Sequence, residues 1–595
     1  MGRIFMIWEK LVSGAGKIRA SAENGFFART MIGRPRPIGE IGKFRISFHR
    51  SILKKAENAR LLFLLSRFLN FLLGTALHCY GVFFLSFGGV AFLIFLLVGN
   101  PSNFDFLSLG VFLSGIPLCF SREPLAEGLE KSDFARLFLF RYCGFAEFPQ
   151  KGRKAGNTIW QFSFVGVAAG VFGALLGVKW ILLFLIVAIV LPIAFCVPES
   201  IFPPVFLFFP FLGWTGHASL FLGIFAVLSL LFRIPKLLSG HRQDVFEKSD
   251  LLVLLCGLLL VLDGIISASG LDGRGFLLCI YLLSVWFALR PSLTVPKWRN
   301  RVFFCFLLSG SICSAIGILQ YFSGKATMKW LEIERFDLLG GRVSATFSNP
   351  NFLAVYLLVV FGVSLGWIFK TGKARFFGWI PLLLSVGCLI VTWTRGAWLG
   401  VLAASGFYLA FHSASTLAAF FVLPLSLPGI FLFLPGGIRA RFGSIGNLAE
   451  TSSRYRIETW KGVLRLIADH PFGIGSGEET FHLVYPAYAV SGTESVMHAH
   501  NVYLQIAVEH GLIGVFLFLF LIVLLFRSFF ACRIGRNQSV DRGFFLGIAA
   551  AMVGLLTMGF FDHLWYQPTL FYLFATLAAA LSAFALSERE KFYET

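Results

Sequence analysis

Long apolar runs dominate this sequence and restrict its fold more than any other feature. Runs of about 17–25 residues recur from residue 75 to residue 587, which is the length that an α-helix needs to cross a bilayer. Charged residues make up 14% of the 595 residues, against about 25% in an average soluble domain. The alternating short strands of a membrane barrel are missing from the pattern. The sequence therefore predicts an all-α, polytopic integral membrane protein.

The apolar runs predict about fourteen to sixteen transmembrane helices and one long extracytoplasmic loop, at 435–500, that carries an interfacial amphipathic helix. We expect spans at 75–99, 104–120, 160–178, 179–197, 203–214, 217–232, 251–267, 274–290, 302–322, 348–369, 376–393, 395–412, 415–434, 502–526, 543–561 and 567–587. The run at 203–214 is short and interrupted by proline. Residues 201–232 therefore form either two crossings or one re-entrant pair.

Three regions differ in composition. Residues 1–60 are basic and lack an apolar stretch followed by a cleavage site, so they predict a cytoplasmic tail and not a signal peptide. Residues 61–300 are an N-terminal transmembrane region, and the sequence of roughly residues 100–300 indicates architecture and little else. Residues 301–595 form a second transmembrane domain, which includes the 435–500 loop and all of the candidate site residues.

The formal net charge of +20 has two explanations. Nucleic-acid binding would interleave basic residues with aromatics on a soluble module, and the sequence has no such module. Cytoplasmic loops of membrane proteins are rich in Lys and Arg. If successive predicted spans cross the membrane in alternate directions, the basic segments all lie on one side: 1–60, 151–154, 290–301, 370–375 and 533–542. The candidate segments lie on the other: 324–347, 394–395, 435–500 and 562–563. We expect cytoplasmic termini and no nucleic-acid partner.

The first candidate segment runs from Gly341 to Asn351. Asn349 or the serine before it, followed by Pro350, predicts a helix start with a side-chain cap and proline in the first turn. The amide end of a helix attracts anions, and Arg342 lies just ahead of it. An ordinary capped membrane helix is the alternative, and Arg342 favours the anion site.

Arg395 lies between two apolar runs that are joined by almost no loop. An unpaired arginine in hydrocarbon costs several kcal/mol. It therefore either extends to the outer headgroups or faces a polar cavity. The tightness of the turn favours the cavity.

The long loop contains a helical pattern from Arg454 to His470. Its apolar face is predicted to consist of Trp460, Val463, Leu464 and Ile467. Arg456 lies one turn before Trp460 on this side, which indicates a role other than solubility, whereas Arg454 is expected in solvent. We expect this helix to lie along the membrane interface, in contact with lipid.

Two histidines close the loop. His498 and His500 are two residues apart, a spacing that could bind a metal, but the sequence offers no convincing third ligand and we expect none. A neutral imidazole at the mouth of a membrane cavity can accept a hydroxyl proton. We take His500 as this general base and His498 as structural.

Weaker candidates flank the histidines. Glu509, about two turns into the following helix, either orients a ligand or pairs locally, and Asp562 falls between the last two spans. The glycines at 473, 475 and 477 allow close approach of the backbone to a ligand, although they do not form a phosphate-loop motif.

Together these segments resemble the O-antigen ligase and polymerase superfamily of bacterial membrane glycosyltransferases. The resemblance covers about residues 300–530. The motifs are G-R…F-S-N-P-N from Gly341, T-R-G-A-W from Thr394, R-x-x-x-W from Arg456, H-P-x-G-x-G from His470 and H-N…E-x-G-x-x-G from His500. Each motif is weak alone, and their order and spacing are specific together.

The resemblance implies glycan transfer from an undecaprenyl-diphosphate carrier, on the outer face of the bacterial inner membrane, without a cofactor or metal. The acceptor would be a glycan, a lipid A-core sugar or a protein hydroxyl. By motif position, Arg395 and Arg456 would bind the diphosphate and His500 would be the essential histidine, while Arg342 corresponds less firmly. Possible supporting residues are Asn351, Trp460, Asn501, Glu509, His498 and Asp562.

Other functions share some of these features. A polysaccharide repeat-unit polymerase or a protein O-oligosaccharyltransferase would use the same chemistry, in which direct displacement inverts the anomeric centre. A transporter of the lipid-linked glycan would instead distribute polar residues along spans on both sides of the bilayer. The candidate residues gather on one side, which favours an enzyme.

Overall fold

The computed structural model of the chain is helical throughout the part that it describes. That part comprises residues 70–98, 106–143, 158–178, 197–238, 248–325, 341–370, 372–413, 451–533, 541–565 and 567–594, with a few isolated positions between them. No β-strand occurs in these ranges. Seven of the described helices are long and apolar enough to cross a membrane, and four shorter apolar helices accompany them. The predicted all-α, polytopic membrane fold is confirmed.

Some sequence predictions lie outside the described residues. They are the 1–60 tail, most of the spans at 179–197 and 415–434, and most of the loop before residue 451. The expected number of fourteen to sixteen spans therefore remains a prediction.

The described helices belong to two compact units. The smaller lies within residues 38–200 and 235–240 and contains α1 (Leu77–Val98), α2 (Phe106–Cys119) and α3 (Ile159–Leu176). Short helical segments connect α2 to α3 at Leu125–Lys131, Asp133–Ala135 and Arg136–Cys143. Helix α1 packs closely on α2 because a glycine removes the side chain at the crossing: a Cβ added at Gly88 would lie 2.3 Å from the backbone nitrogen of Phe112.

The larger unit lies within residues 201–234 and 241–595. Its longer helices are α4 (Ala218–Leu238), α5 (Lys248–Ile265), α6 (Gly273–Ser284), α7 (Pro296–Phe322), α8 (Pro350–Trp367), α9 (Trp379–Val391), α10 (Arg395–His412), α11 (Thr451–Asp469), α12 (Val502–Arg533), α13 (Arg542–Met558) and α14 (Pro568–Glu594). Shorter helical segments of this unit lie at Phe202–Phe208, Phe209–Thr215, Val285–Leu289, Arg290–Thr294, Lys373–Gly378, Glu478–Val484 and Tyr485–Ala487, and a further short segment, Pro198–Ile201, falls almost entirely in the smaller unit.

Of the two alternatives predicted for residues 201–232, two crossings or one re-entrant pair, the helix lengths favour the re-entrant pair. Phe202–Phe208 has 7 residues, about 10 Å of α-helix at 1.5 Å per residue, which is too short to cross a bilayer. Helix α4 has 21 residues and is long enough. The first member of the pair is therefore not a full α-helical crossing.

Helix α8 lies at the centre of the larger unit. Most of its side chains are fully buried, and it crosses α13 where both helices have small residues. A Cβ added at Gly362 would lie 2.6 Å from the Cβ of Ala551, and one added at Gly547 would lie 2.5 Å from the carbonyl oxygen of Gly362. Small residues at a crossing let helix backbones approach within membranes, where packing replaces the hydrophobic effect as the source of association.

One end of the unit brings together three of the basic segments that the charge pattern assigns to a common side. Arg299, near the start of α7, forms an ion pair with Asp541, which precedes α13. Lys370, after α8, lies 3.9 Å from the same carboxylate and donates to the Asn300 side chain at 2.5 Å. These contacts agree with the threading of the spans.

Candidate functional site

The candidate residues converge at the other end of the helices in the larger unit. Helices α6, α8, α10 and α12 begin there, α13 ends there, and α11 packs beside them. The prediction that Asn349 caps a helix beginning at Pro350 is confirmed, because the Asn349 side chain accepts from the backbone N–H of Asn351 at 2.8 Å. Helix α10 begins at Arg395, as predicted.

His500 and Asp562 form the core of the site. Nδ1 of His500 lies 3.3 Å from Oδ1 of Asp562. A carboxylate can only accept a hydrogen bond, so this contact places a proton on Nδ1, and in the neutral imidazole the lone pair then lies on Nε2. The two side chains are 25% and 12% exposed, which leaves the imidazole accessible from one side. The arrangement suits a base whose orientation is fixed by an acid.

A chain of side chains holds the Asp562 carboxylate. Oδ2 accepts from Nδ2 of Asn351 at 2.7 Å, and Oδ1 accepts from the backbone N–H of His563 at 2.9 Å. Oδ1 of Asn351 in turn accepts from Nη2 of Arg342 at 2.7 Å and from the hydroxyl of Thr394 at 3.2 Å. Asp562 is therefore linked to Arg342 through one amide.

Arg342 also holds the turn before α10. Its Nε donates to the carbonyl oxygen of Thr392 at 2.9 Å and its Nη2 to the Thr394 hydroxyl at 3.1 Å. The indole N–H of Trp393 donates to the carbonyl oxygen of Gly341 at 2.9 Å. The structure thus gives Arg342 a set of contacts within the protein, which connect it to the turn before Arg395.

Backbone strain is concentrated in these motif segments. Ala345, Trp393 and His500 have positive φ angles of 47°, 56° and 47°, and they are the non-glycine residues of the described part that do so. Such conformations cost of order 1–3 kcal/mol for residues other than glycine and are often retained at functional sites. The positive φ of His500 thus occurs at the residue whose side chain contacts Asp562.

Helix α11 brings Arg456 and Trp460 to the site. The indole N–H of Trp460 donates to the carbonyl oxygen of Ala499, between the two histidines, at 2.9 Å. Arg456 is half-buried and Arg454 is exposed, as predicted. The predicted apolar face was wrong at one position: Leu464 is 57% exposed, whereas Leu466 is fully buried with Val463. The buried stripe is therefore turned slightly around the helix from the predicted one.

Burial and neighbouring charges shift the pKa values of His498 and Asp562. Burial, together with the neighbouring His500, Arg274 and Arg456, lowers the pKa of His498 to about 3, so the imidazole of His498 is neutral. Its Nδ1 accepts from the backbone N–H of His500 at 3.2 Å. Burial alone would raise the pKa of Asp562, but the hydrogen bond with His500 and the charge of Arg456 hold it well below its usual range. The acid is therefore ionised.

Arg274, at the start of α6, is a site residue that the sequence analysis missed. Its Nη2 lies 3.2 Å from Nε2 of His563 and donates to the carbonyl oxygen of Trp565 at 3.0 Å. The His563 ring lies 5.5 Å from that of His498, measured between centroids. The sequence of residues 100–300 indicates architecture and little else, and no local pattern around Arg274 reveals this contact.

The glycine-rich segment after α11 packs against protein. The N–H groups of Ile474 and Gly475 donate to the carbonyl oxygens of Val508 and Glu509 at 2.9 and 3.2 Å. A Cβ added at Gly475 would lie 2.3 Å from Cα of Ser267. The expectation of close approach to a ligand is therefore wrong here: these glycines let the loop backbone fit against the ends of α5 and of the first part of α12.

Two weaker candidates have local contacts. Oδ1 of Asn501 accepts from the N–H groups of Tyr503 and Leu504 at 2.9 and 3.1 Å, which caps α12. Glu509 accepts from Nε2 of Gln505 at 2.8 Å. Of the two alternatives for Glu509, local pairing describes its contacts in the structure.

A third potential metal ligand lies beside the histidine pair. Ligand atoms of His498, His500 and Asp562 all lie within 4.8 Å of one another, so the statement that no third ligand is available is corrected. The hydrogen bonds described above nevertheless engage Nδ1 of both histidines and both oxygens of Asp562. The observed contacts are those of an oriented His–Asp pair.

These features define a class of protein: a polytopic helical membrane protein with an oriented histidine, an ionised aspartate and several arginines gathered at one end of its helices. Residues 380–519 match a family model described as O-antigen ligase. This match confirms the resemblance drawn from the motifs and supports an O-antigen ligase-like or polymerase-like membrane glycosyltransferase. The matched segment contains Arg395, Arg456 and His500, whereas Arg274 and Asp562 lie outside it.

A second similarity covers less of the chain. The probable G-protein coupled receptor Mth-like 12 of Drosophila melanogaster is 25% identical over 169 residues, which covers 23% of this chain and 32% of the receptor. The chain thus spans about a third of the length of that relative. The match carries no argument about the site.

Proposed function

We propose that this protein transfers a glycan from an undecaprenyl-diphosphate carrier to an acceptor hydroxyl on the extracytoplasmic face of the bacterial inner membrane. The acceptor is a glycan chain, a lipid A-core sugar or a protein. The observation that carries the proposal is the contact between His500 and Asp562, held through Asn351 and lying beside Arg456 within an O-antigen ligase-like chain.

His500 acts as the general base in this proposal. Its Nε2 takes the proton of the acceptor hydroxyl while the hydroxyl oxygen attacks the anomeric carbon. The imidazolium that forms is stabilised by the Asp562 carboxylate, which already holds Nδ1–H. A positioned base of this kind contributes about 10²–10⁴-fold to a rate. Direct displacement inverts the anomeric centre.

The arginines act on the leaving group. As the bond between the anomeric carbon and the phosphate oxygen breaks, its electron pair moves to the diphosphate. Arg395 and Arg456 neutralise this charge, since a guanidinium can contact phosphate oxygens through two N–H groups. Arg342 contributes through Asn351 and the turn at 392–394, where its own hydrogen bonds lie.

The charge distribution supports the proposed membrane side. The cluster of Arg299, Lys370 and Asp541 lies at the opposite end of the helices from His500. Basic residues concentrate on the cytoplasmic side of membrane proteins. The end that carries His500 therefore faces outward, where lipid-linked glycans meet their acceptors.

The test is transfer by the purified protein in vitro. A labelled undecaprenyl-diphosphate glycan is mixed with candidate acceptors, and both the lipid product and the acceptor mass are measured. We expect release of undecaprenyl diphosphate together with a heavier acceptor. Movement of the intact lipid-linked glycan across a vesicle membrane, with no transfer to any acceptor, would favour a transporter instead.

A further inference from the structure

The backbone at His500 is strained and needs contacts that hold it. Its φ is 47°, and the imidazole that contacts Asp562 projects from this residue. A strained conformation persists only where the surrounding structure fixes it. The contacts of the two peptide groups before His500 therefore show what keeps the imidazole in place.

Two side chains fix these peptide groups. Oε1 of Gln505 accepts from the backbone N–H of Ala499 at 2.8 Å, which holds the peptide group that joins His498 to Ala499. The indole N–H of Trp460 donates to the carbonyl oxygen of Ala499 at 2.9 Å, which holds the next peptide group. Ala499 is fully buried, so its N–H depends on an acceptor within the protein. Gln505 supplies that acceptor.

Gln505 is held in turn by Glu509, which lies one turn further along α12. Nε2 of Gln505 donates to Oε1 of Glu509 at 2.8 Å, and the two residues are only 2% and 4% exposed. A backbone N–H can only donate, so the contact with Ala499 requires the amide oxygen of Gln505 and directs its NH₂ group towards Glu509. Without the carboxylate, this buried NH₂ group would lose its acceptor, at a cost in free energy. Glu509 therefore stabilises the orientation of Gln505 that holds Ala499.

Glu509 is itself fixed by two other segments. Its carbonyl oxygen accepts from the N–H of Gly475 at 3.2 Å, in the loop after α11. Its Oε2 lies 3.6 Å from Nε2 of His510, and Nδ1 of His510 lies 2.6 Å from Oδ2 of Asp263 on α5. The pair of Gln505 and Glu509 is thus anchored to elements outside α12.

We propose that Gln505 and Glu509 are positioning residues for the general base: Glu509 orients the amide of Gln505, and Gln505 fixes the backbone that leads to His500. The inference rests on the proposed function, because it gives both residues a part in proton transfer to Nε2 of His500. It extends the local pairing of Glu509 to the histidine loop. Loss of the pair should slow the chemical step and leave donor binding unchanged, because the pair acts on the base and not on the diphosphate.

Gln505→Met tests the contact with Ala499, since methionine has nearly the length of glutamine but no amide. The purified full-length protein in lipid nanodiscs is assayed for single-turnover transfer and for binding of a labelled undecaprenyl-diphosphate glycan. We expect transfer to slow by about tenfold or more, while the donor dissociation constant stays within about twofold. Gln161→Met makes the same change at an exposed position in the smaller unit and should match wild type in both measurements.

Exchanging the two side chains separates hydrogen bonding from packing. In the double variant Gln505→Glu/Glu509→Gln, the carboxylate at position 505 can accept both from the Ala499 N–H and from the amide at position 509. We expect its transfer rate to stay within about threefold of wild type, since both hydrogen bonds are kept. Glu509→Met keeps the length of the side chain but removes the acceptor, and it should slow transfer about as much as Gln505→Met. A double variant that elutes and unfolds like wild type but transfers as slowly as Gln505→Met would overturn the proposal.

Hydrogen exchange at the Ala499 amide measures the contact without a transfer reaction. Mass spectrometry with fragmentation isolates this amide, whose N–H is bonded to Gln505 in the wild type. We expect exchange about tenfold faster in Gln505→Met and wild-type protection in the double variant. Unchanged exchange in Gln505→Met would overturn the contact on which the proposal depends.

The positioning role and the proposed function fail separately. If Gln505→Met exchanges the Ala499 amide faster but transfers glycan as fast as wild type, the positioning role is overturned and the proposed activity stands. If the wild-type protein transfers no glycan although the exchange results are as expected, the proposed activity fails while the contact with Gln505 stands.

Discussion

Asp562→Asn is the perturbation that most sharply tests how His500 is held. The amide keeps the shape of the carboxylate, so the backbone has no reason to move. Its oxygen must occupy the Oδ1 position, because His500 Nδ1 and the N–H of His563 both donate there. The new NH₂ group then faces Nδ2 of Asn351. That amide cannot rotate without loss, since its own oxygen accepts from Arg342.

The magnitude follows from two losses. Two donors facing one another leave at least one buried group unsatisfied, which costs about 1–3 kcal/mol. The imidazolium also loses a full negative charge at 3.3 Å, and near a protein surface such a charge is worth about 5 kcal/mol at this distance. Since part of each loss is recovered by relaxation, we expect a net loss of about 3–4 kcal/mol, or 10²–10³-fold in the transfer rate.

The assay is single-turnover glycan transfer with saturating donor. Glu494→Gln is the matched control, since it also replaces a carboxylate by an amide, at an exposed position in the loop before His500, and should leave the rate unchanged. Combining Asp562→Asn with His500→Ala should cost no more than His500→Ala alone, because the two residues act as one unit. Full activity in Asp562→Asn, or independent losses that multiply in the double variant, would refute the reasoning.

Three further predictions concern the loop and the site. Gly475→Ala should lower the free energy of unfolding by about 2–4 kcal/mol, because the added Cβ would clash with Ser267 at a residue whose φ is +91°. The control Gly492→Ala has a similar φ of +89° but open space around it, so it should cost only about 1 kcal/mol. Equal shifts of the melting temperature in the two variants would contradict the clash with Ser267. Arg456→Lys should slow transfer about tenfold or more, because one point charge replaces a two-pronged contact, whereas Arg454→Lys on the exposed side should match wild type; equal rates for the two would remove Arg456 from the site. EDTA should leave transfer unchanged, and a loss that one divalent metal restores would show that the two histidines and the aspartate hold a cation.

Local patterns predicted the parts of the site that depend on neighbouring residues. The cap at Asn349 and the start of α10 at Arg395 were predicted because capping and turn formation involve a few adjacent residues. The half-buried position of Arg456 followed from helical periodicity, although the same periodicity misplaced Leu464.

Contacts between distant segments could not be predicted in this way. Asn351 and Asp562 are 211 residues apart, and Arg274 and His563 are 289 apart. Nothing beside Arg274 in the sequence distinguishes it from a charge at a helix start. Arg342 shows the converse: its motif indicated an anion site, whereas its contacts in the fold show how it holds the turn before α10.

The central claim is that His500 is the base that activates the acceptor, and one paired measurement tests it most directly. Transfer and donor binding are measured on the same preparation of His500→Ala, with a labelled undecaprenyl-diphosphate glycan as donor. The account predicts that transfer slows by about 10²–10⁴-fold while the donor dissociation constant stays within about twofold. Undiminished transfer by His500→Ala would contradict it.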